Sequence, residues 1–438
     1  MESWFNEIAD ETMRIARGGE VVLVSIGAEQ SDFVRFNHGS VRQPGSVTQR
    51  TAYVRLIDHD RQAIVQLELQ GGSEDCARLR SAIDDARGLL IDLPPDPHIL
   101  YSTTVQSSAS HRAGKRPDST RIVASIVEQA RALDLVGIYS AGTIYRGFAN
   151  SLGQRNWHGV ETFNFDWSLH DRADKAVKAS YAGFDWDPGI FQTKLRESAA
   201  QLTLMKRPSR QIAPGEYRAY LAPQAVDEVM GLLGWGGFSA HSMQTKWSPL
   251  LRMTQGEHWS ERVTIVENTI EGSAPAFQGE GFTKPDRVPL VSNGKLDTLL
   301  VAPRTAMEFN LVANGAGAGE KPESLDLHAG MLAMRDVLAS LDTGIYINNL
   351  WYLNYSDRSA GRMTGMTRFA TLWVEHGRIV GPIDVMRFDD TLARMLGENL
   401  IDLTVEREML LDPSTYDARS TSSARLPGIL LEALRFTL

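Results

Sequence analysis

At 438 residues, with 42% hydrophobic and 23% charged side chains, the chain has an ordinary globular composition and enough length for two cores. A formal net charge of −9 argues against a nucleic-acid-binding surface, and no run approaches the roughly 18 consecutive apolar residues that span a bilayer. The single cysteine, Cys76, excludes an intrachain disulfide framework and a multi-thiolate zinc site.

The acidic, amphipathic N-terminus lacks a signal peptide's layout, so a cytoplasmic protein is expected. Residues 20–27 form a short apolar segment bounded by glycines, and 31–41 and 49–69 mix β-branched and polar residues as strands do. Ser73 is placed to cap a helix through about Leu90, with Glu74 and Asp75 favourable to its dipole. Cys76 falls in phase with Leu79 and Ile83, as a small buried apolar residue would. Residues 102–118 read as an exposed loop. Asp118 or Ser119 then opens a helix whose Ile122, Ile126, Ala130 and Leu133 share one face. Phe163, Phe165, Trp167 and Leu169 alternate with polar residues, as in a strand with one face on the core. A helix over about 187–205 precedes a basic, proline-containing stretch that makes the best domain boundary. The expected domains are 1–210 and 211–438.

The second half opens with a strand over 216–221 and a helix over 223–233, then turns β-rich. Asn293-Gly294 marks a tight hairpin, since both residues suit positive φ, and His376-Gly377 marks a second. Ser324 is expected to cap a helix through about Leu341, and 391–399 to hold a shorter one. Helices and strands are segregated rather than alternating, so the fold class is α+β, with an antiparallel sheet and helices in the N-terminal domain and a β-rich C-terminal domain.

None of the ten histidines forms His-Glu-x-x-His or the wider His-Glu-x-x-x-His. The pair His170 and Asp174 fits a solvated face, and no Gly-x-Ser-x-Gly elbow is present. The glycine-rich stretch 314–322 lacks the Gly-Lys-Ser/Thr ending of a phosphate loop and reads as a mobile loop or lid. The densest polar and aromatic segment, 348–363, supplies Asn349, Trp351, Tyr352, Tyr355, Arg358 and Arg362, with Arg368 following. Such residues suit a groove for an extended peptide, a subunit interface or a structured crossover loop between strands, and all three remain open.

One long segment is more specific. Thr364-Gly365, Phe369-Ala370-Thr371-Leu372-Trp373-Val374-Glu375-His376-Gly377-Arg378-Ile379 and Gly381-Pro382-Ile383, with Asp342-Thr343-Gly344-Ile345-Tyr346-Ile347 upstream, resemble the TldD/PmbA family of metallopeptidases, also named modulators of DNA gyrase. Gly279-Glu280-Gly281-Phe282 and the stretch through Asn293-Gly294 extend the likeness, and Asp32–Gly39-like and Ala149-Asn150-Ser151-Leu152-Gly153 segments echo it more weakly. In that family the catalytic member carries a His-Glu-x-x-x-His helix and a cysteine near the C-terminus as zinc ligands. The matching helix here, about 223–233, has no histidine, and no cysteine follows Leu400.

The pattern is similar to the TldE (PmbA) branch, the partner without metal. The resemblance implies a non-catalytic subunit of a heterodimer, with no cofactor of its own, and the charge and hydropathy read above leave it no part in nucleic-acid or membrane binding. Zinc and proteolysis of peptides or unfolded segments are expected in a TldD-type partner. The other expectation is a self-associating peptide-binding or scaffold protein that has left proteolysis.

Overall fold

Residues 1–172 and 175–437 are described by a computed structural model of the chain. Helix α1 (Glu2–Ile15) leads into β1 (Val21–Asn37), β2 (Ser40–Asp58) and β3 (Arg61–Glu68), followed by α2 (Asp75–Leu90) and β4 (Ser108–Arg112). Helix α3 (Ser119–Ala130), strands β5 (Asp134–Asn150), β6 (Arg155–Arg172) and β7 (Lys175–Gly183), and helix α4 (Pro188–Met205) complete the N-terminal half. Seven strands form one sheet in the order β3-β2-β1-β5-β6, with β4 and β7 sharing the far edge of β6. All pairs are antiparallel except β4 with β6.

The two faces of this sheet differ, and the strand register shows how. On one face Val24 lies opposite Ala149, Val34 opposite Tyr139 and Tyr139 opposite Phe165. Helices α1 and α2 cover one end of this apolar face, with Trp4, Phe5, Leu79 and Ile83 buried there. Helices α3 and α4 cover the other end through Ile122, Ile126, Phe191 and Leu195. Gly147 is required where α1 crosses, because a Cβ there would lie 2.7 Å from the Phe5 ring. The alternate residues make a mixed second face: beside Leu23, Ile144, Phe148 and Val160 it holds Glu29, Ser31, Ser140, Asn156, Thr162 and Asn164, all buried despite being polar. Burial of polar groups without partners is costly. The C-terminal half supplies some of those partners. Arg419 Nη2 donates to Thr162 Oγ1 at 2.6 Å, and its Nη1 to Ser31 Oγ at 3.2 Å.

The C-terminal half contains β8 (Gly215–Leu221), α5 (Pro223–Gly234), α6 (Ala240–Gln244), β9 (Ile265–Glu267), β10 (Val288–Ser292), β11 (Lys295–Leu296), α7 (Pro303–Phe309), β12 (Ser324–Leu327) and α8 (Val337–Leu341). Then come β13 (Gly344–Asp357), β14 (Arg362–Glu375), β15 (Arg378–Pro382), β16 (Arg387–Thr391), β17 (Leu400–Leu411) and β18 (Ser423–Phe436). Strand β18 pairs with both β16 and β8, so β8, β13, β14, β16 and β18 close a ring around a core that includes Leu221, Ile347, Phe388 and Leu431. Helix α5 packs against β13 and β18.

The α+β architecture is as expected, as are α3 with its Asp118 cap, the span of α4, and the hairpin turns at Asn293-Gly294 and His376-Gly377. Several local expectations are corrected. Strand β1 runs unbroken through Gly27, with Glu29 and Ser31 after it buried on the strand's second face. Ser73 does not cap α2. The helix starts at Asp75, whose fully buried carboxylate accepts from the N–H groups of Gln70, Gly71 and Gly72 and from the Trp4 indole. Cys76 is half-buried rather than buried. The loop over 102–118 contains β4.

Ser324 opens a strand, not a helix: buried Glu267 accepts from its N–H, and β12 is paired on both sides, by β9 and β18. Only α8 remains of the long helix expected there, after a 3-10 turn. The turn over Arg394–Glu398 is π-helical. Asp174, paired with His170 in the sequence, lies outside the described residues. No helix among the described residues is long and apolar enough to cross a membrane.

Candidate functional site

Strand β8 runs directly into α5, where Pro223 occupies the first turn, a position that needs no N–H donor. Ala225, Val226, Val229, Met230 and Leu233 anchor the helix in the core. Its outer face is therefore Gln224, Asp227, Glu228 and Gly231, at the i, i+3, i+4 and i+7 spacing of one stripe.

Two clefts border that stripe. One, of about 740 Å³, is lined by Pro223 and Gln224 together with Lys194, Glu197, Tyr346 and Asn348. The other, of about 440 Å³, is lined by Asp227, Gly231, Gly234 and Trp235 with Lys321 and Asp412 opposite. Both volumes fall within the roughly 300–1,000 Å³ of small-ligand sites. A Cβ on Gly231 would meet nothing within 4 Å. The missing side chain leaves the helix backbone open to whatever occupies the cleft.

The carboxyl groups here are perturbed. Burial pushes Asp227 up to about 7, and the neighbouring charge of Glu228 adds to the effect. Burial also raises Glu228, with Lys178 opposing. Asp166, on the polar face of the first sheet, is pushed up to about 6 by burial against the pull of Lys178, while Asn164 Nδ2 donates to it at 2.7 Å. The backbone here is held by cross-links. Asn348 Nδ2 donates to the Lys178 carbonyl at 2.7 Å, and Gln224 Nε2 and Lys194 Nζ both donate to Glu408 Oε2, at 2.8 and 2.7 Å. A carboxyl that titrates near neutrality can donate a hydrogen bond in one state and accept in the other, which suits contact with peptide amides.

These residues do not fit a zinc ion. Zinc sites draw on imidazole, thiolate and carboxylate ligands, typically three or four from the protein. The stripe offers two adjacent carboxylates and an amide. Among the described residues no group of three or more His, Cys, Asp and Glu is placed to hold a metal.

The residues singled out from the sequence form two clusters instead of one groove. Segment 348–363 is not a crossover loop: it belongs to the long antiparallel hairpin of β13 and β14. Near its middle, Asn349 is buried opposite Arg368, whose guanidinium lies 4.2 Å from the ring centre of exposed Trp351. Tyr352, also exposed, packs 5.4 Å from Trp351.

At the hairpin tip, Arg358 sits in an aromatic cage, 3.4 Å from Trp247 and 4.7 Å from both Trp235 and Tyr355. Its Nε donates to the Trp247 carbonyl at 3.0 Å, and Tyr355 Oη donates to the Leu232 carbonyl at 3.0 Å. The tip is thus fastened to the C-terminal end of α5, beside the 440 Å³ cleft that Trp235 lines. Arg362 belongs to neither cluster and pairs with Asp389 at 3.4 Å.

Sequence reasoning missed Asp166, Lys178, Asp227, Glu228, Trp235 and Trp247. The stripe on α5 was a usable signal for two of them. Residues 314–322 are not a free lid: buried Glu320 accepts from Ser239 Oγ at 2.6 Å and from the N–H groups of His241 and Ala302, both at 2.8 Å.

Comparison with known proteins agrees with this architecture. No curated protein sequence matches the chain. Among solved structures it is similar to TldE from Thermococcus kodakarensis, with a TM-score of 0.79 at 13% identity over 99% of this chain and 100% of that one. It is also similar to a protein described as a modulator of a DNA gyrase from Thermotoga maritima, with a TM-score of 0.77 at 14% identity over 100% of both chains. A third, described as a modulator of DNA gyrase from Bacteroides thetaiotaomicron, gives 0.71 at 16% identity over 100% of this chain and 98% of that one. At such identities the likeness is one of fold. The family profile of the PmbA/TldA metallopeptidase C-terminal domain matches residues 214–438, just over half the sequence. The chain therefore belongs to the TldD/PmbA family.

Proposed function

We propose that this chain is the non-catalytic, TldE-like subunit of a cytoplasmic TldD/TldE-type zinc metallopeptidase heterodimer that cleaves peptides or unfolded segments. The observation that carries this is the outer stripe of α5. By resemblance, α5 corresponds to the helix on which the family's catalytic member carries two histidines, and here that helix has no histidine and presents Gln224, Asp227, Glu228 and Gly231. Hydrolysis is then the partner's, and this chain holds substrate. An extended peptide lies along α5 between the two clefts, its backbone brought close at Gly231 and its amides met by Gln224, Asp227 and Glu228. The exposed pair Trp351 and Tyr352, with Arg368 beneath, is the proposed contact with the partner, because aromatic and arginine side chains are enriched in interfaces.

The test is a peptidase assay with zinc, using the purified chain alone and with a TldD-type subunit. No turnover alone and turnover with the partner are expected. Full hydrolysis by this chain alone would overturn the proposal. A native mass measurement separates the scaffold alternative, which requires a stable homodimer indifferent to any TldD-type protein.

A further inference from the structure

A third cavity lies away from the α5 stripe, where β1 and β5 meet the C-terminal half. It encloses about 310 Å³, and three cationic side chains line it: Arg146, Lys284 and Lys321. Glu323 is the one carboxylate in its lining, and Lys284 Nζ already holds it at 2.6 Å. The Arg146 guanidinium is poorly matched. Its Nη1 donates to the carbonyl of its own neighbour Tyr145 at 2.9 Å, and Nη2 makes a long contact of 3.4 Å to the Arg419 carbonyl. Among the described residues no carboxylate lies within ion-pair distance of Arg146 or Lys321. Burial lowers the Arg146 pKa, with Glu29 and Glu323 opposing from a distance. A desolvated guanidinium with spare donors is costly until an anion meets it, and its planar fork matches a carboxylate in two-point fashion. The lining also includes Thr421 and Ser422, whose hydroxyls can donate as well.

The cavity adjoins the site described above. Lys321 and Ser422 line both this cavity and the 440 Å³ cleft beside Asp227. We propose that the Arg146, Lys284 and Lys321 cavity binds the terminal carboxylate of a peptide whose preceding residues run into the cleft along α5. This rests on the peptide-holding role of the α5 stripe, and adds that the substrate is recognised by its free C-terminal end.

The experiment is fluorescence anisotropy on the full chain, with a dye-labelled alanine-rich hexapeptide supplied as the free acid, as the C-terminal amide, and as an amide ending in aspartate. The free acid is expected to bind at least about tenfold more tightly than either amide, the size of one charge-assisted hydrogen bond. Arg146→Gln should abolish that difference. Lys321→Gln, on an exposed side chain that leaves the fold intact, should reduce it several-fold. Equal binding of the free acid and the simple amide would overturn the proposal while leaving the α5 groove standing. Tight binding of the aspartate amide would transfer the site to acidic side chains and overturn the terminal assignment. Absence of binding by all three peptides would overturn both this proposal and the groove.

Discussion

Asp227 behaves as a residue whose charge depends on its surroundings more than on its type. Its folded-state pKa, raised to about 7, lies above the ordinary carboxylate value of 3.8. Between those two pH values the folded chain holds a proton that the unfolded chain has released, so stability is greatest below pH 4 for this group and declines as pH rises through 7. Asp227→Asn mimics the protonated form. It is expected to flatten the pH dependence of stability between about 4 and 7 and to leave the variant more stable than the parent at pH 8. Urea denaturation at a series of pH values checks this, and a steeper profile in the variant would contradict it. Residues of this kind are the least legible in sequence. Asp75 looks like a helix-start carboxylate and is in fact a buried acceptor for four donors, and Glu320 sits in a glycine-rich stretch yet fixes it. The Trp4 donor of Asp75 and the Ser239, His241 and Ala302 donors of Glu320 come from other segments, and local spacing does not carry them.

Elements were more legible where the signal was local. The cap at Asp118 and the turns at Asn293-Gly294 and His376-Gly377 depend on neighbouring residues alone, and each lies where the sequence puts it. Strand β12 was misread because its pairing with β9 and β18 and the grip of Glu267 on Ser324 override a helix-start pattern. The α5 helix was located correctly, but its outward stripe gained meaning only once both clefts were seen beside it. Gly231 gives a direct test at this scale. A glycine inside a helix with open space around its missing Cβ should accept alanine. Gly231→Ala is expected to raise stability by about 0.5–1 kcal/mol while weakening peptide binding, because the methyl group enters the cleft. The urea midpoint and the anisotropy titration measure the two effects, and unchanged peptide affinity would count against the groove.

Across the whole molecule, the informative arrangement is the buried polar face of the N-terminal sheet. Arg419 spans it from the C-terminal half, with hydrogen bonds to Ser31, Gly142 and Thr162, and burial pushes its pKa down to about 10. We propose residues 1–210 and 211–438 as the two domains, divided between α4 and β8, although Ala370 and Leu372 of β14 also pack into the N-terminal core. Arg419→Ala is expected to cost about 2–4 kcal/mol, since it strands buried acceptors and leaves a void, and to separate unfolding into two calorimetric transitions. A single sharp transition would argue against that division. The general α+β plan was legible because segregated helices and strands set it. The polar interior was not, since strand alternation reveals two faces and does not say that both are covered.

That second face also bears on synthesis. The apolar side of the first sheet is closed mainly by α1, α2, α3 and α4, all of which leave the ribosome before β8 does. The nascent N-terminal half can therefore complete most of its apolar core unaided, while its second face, where Glu29, Ser31, Asn156 and Thr162 mix with Leu23, Ile144, Phe148 and Val160, waits for a cover. A chain halted before Phe277 would leave Val21, Leu23, Ile57 and Phe148 bare, so the later segments are needed to hide a patch prone to association.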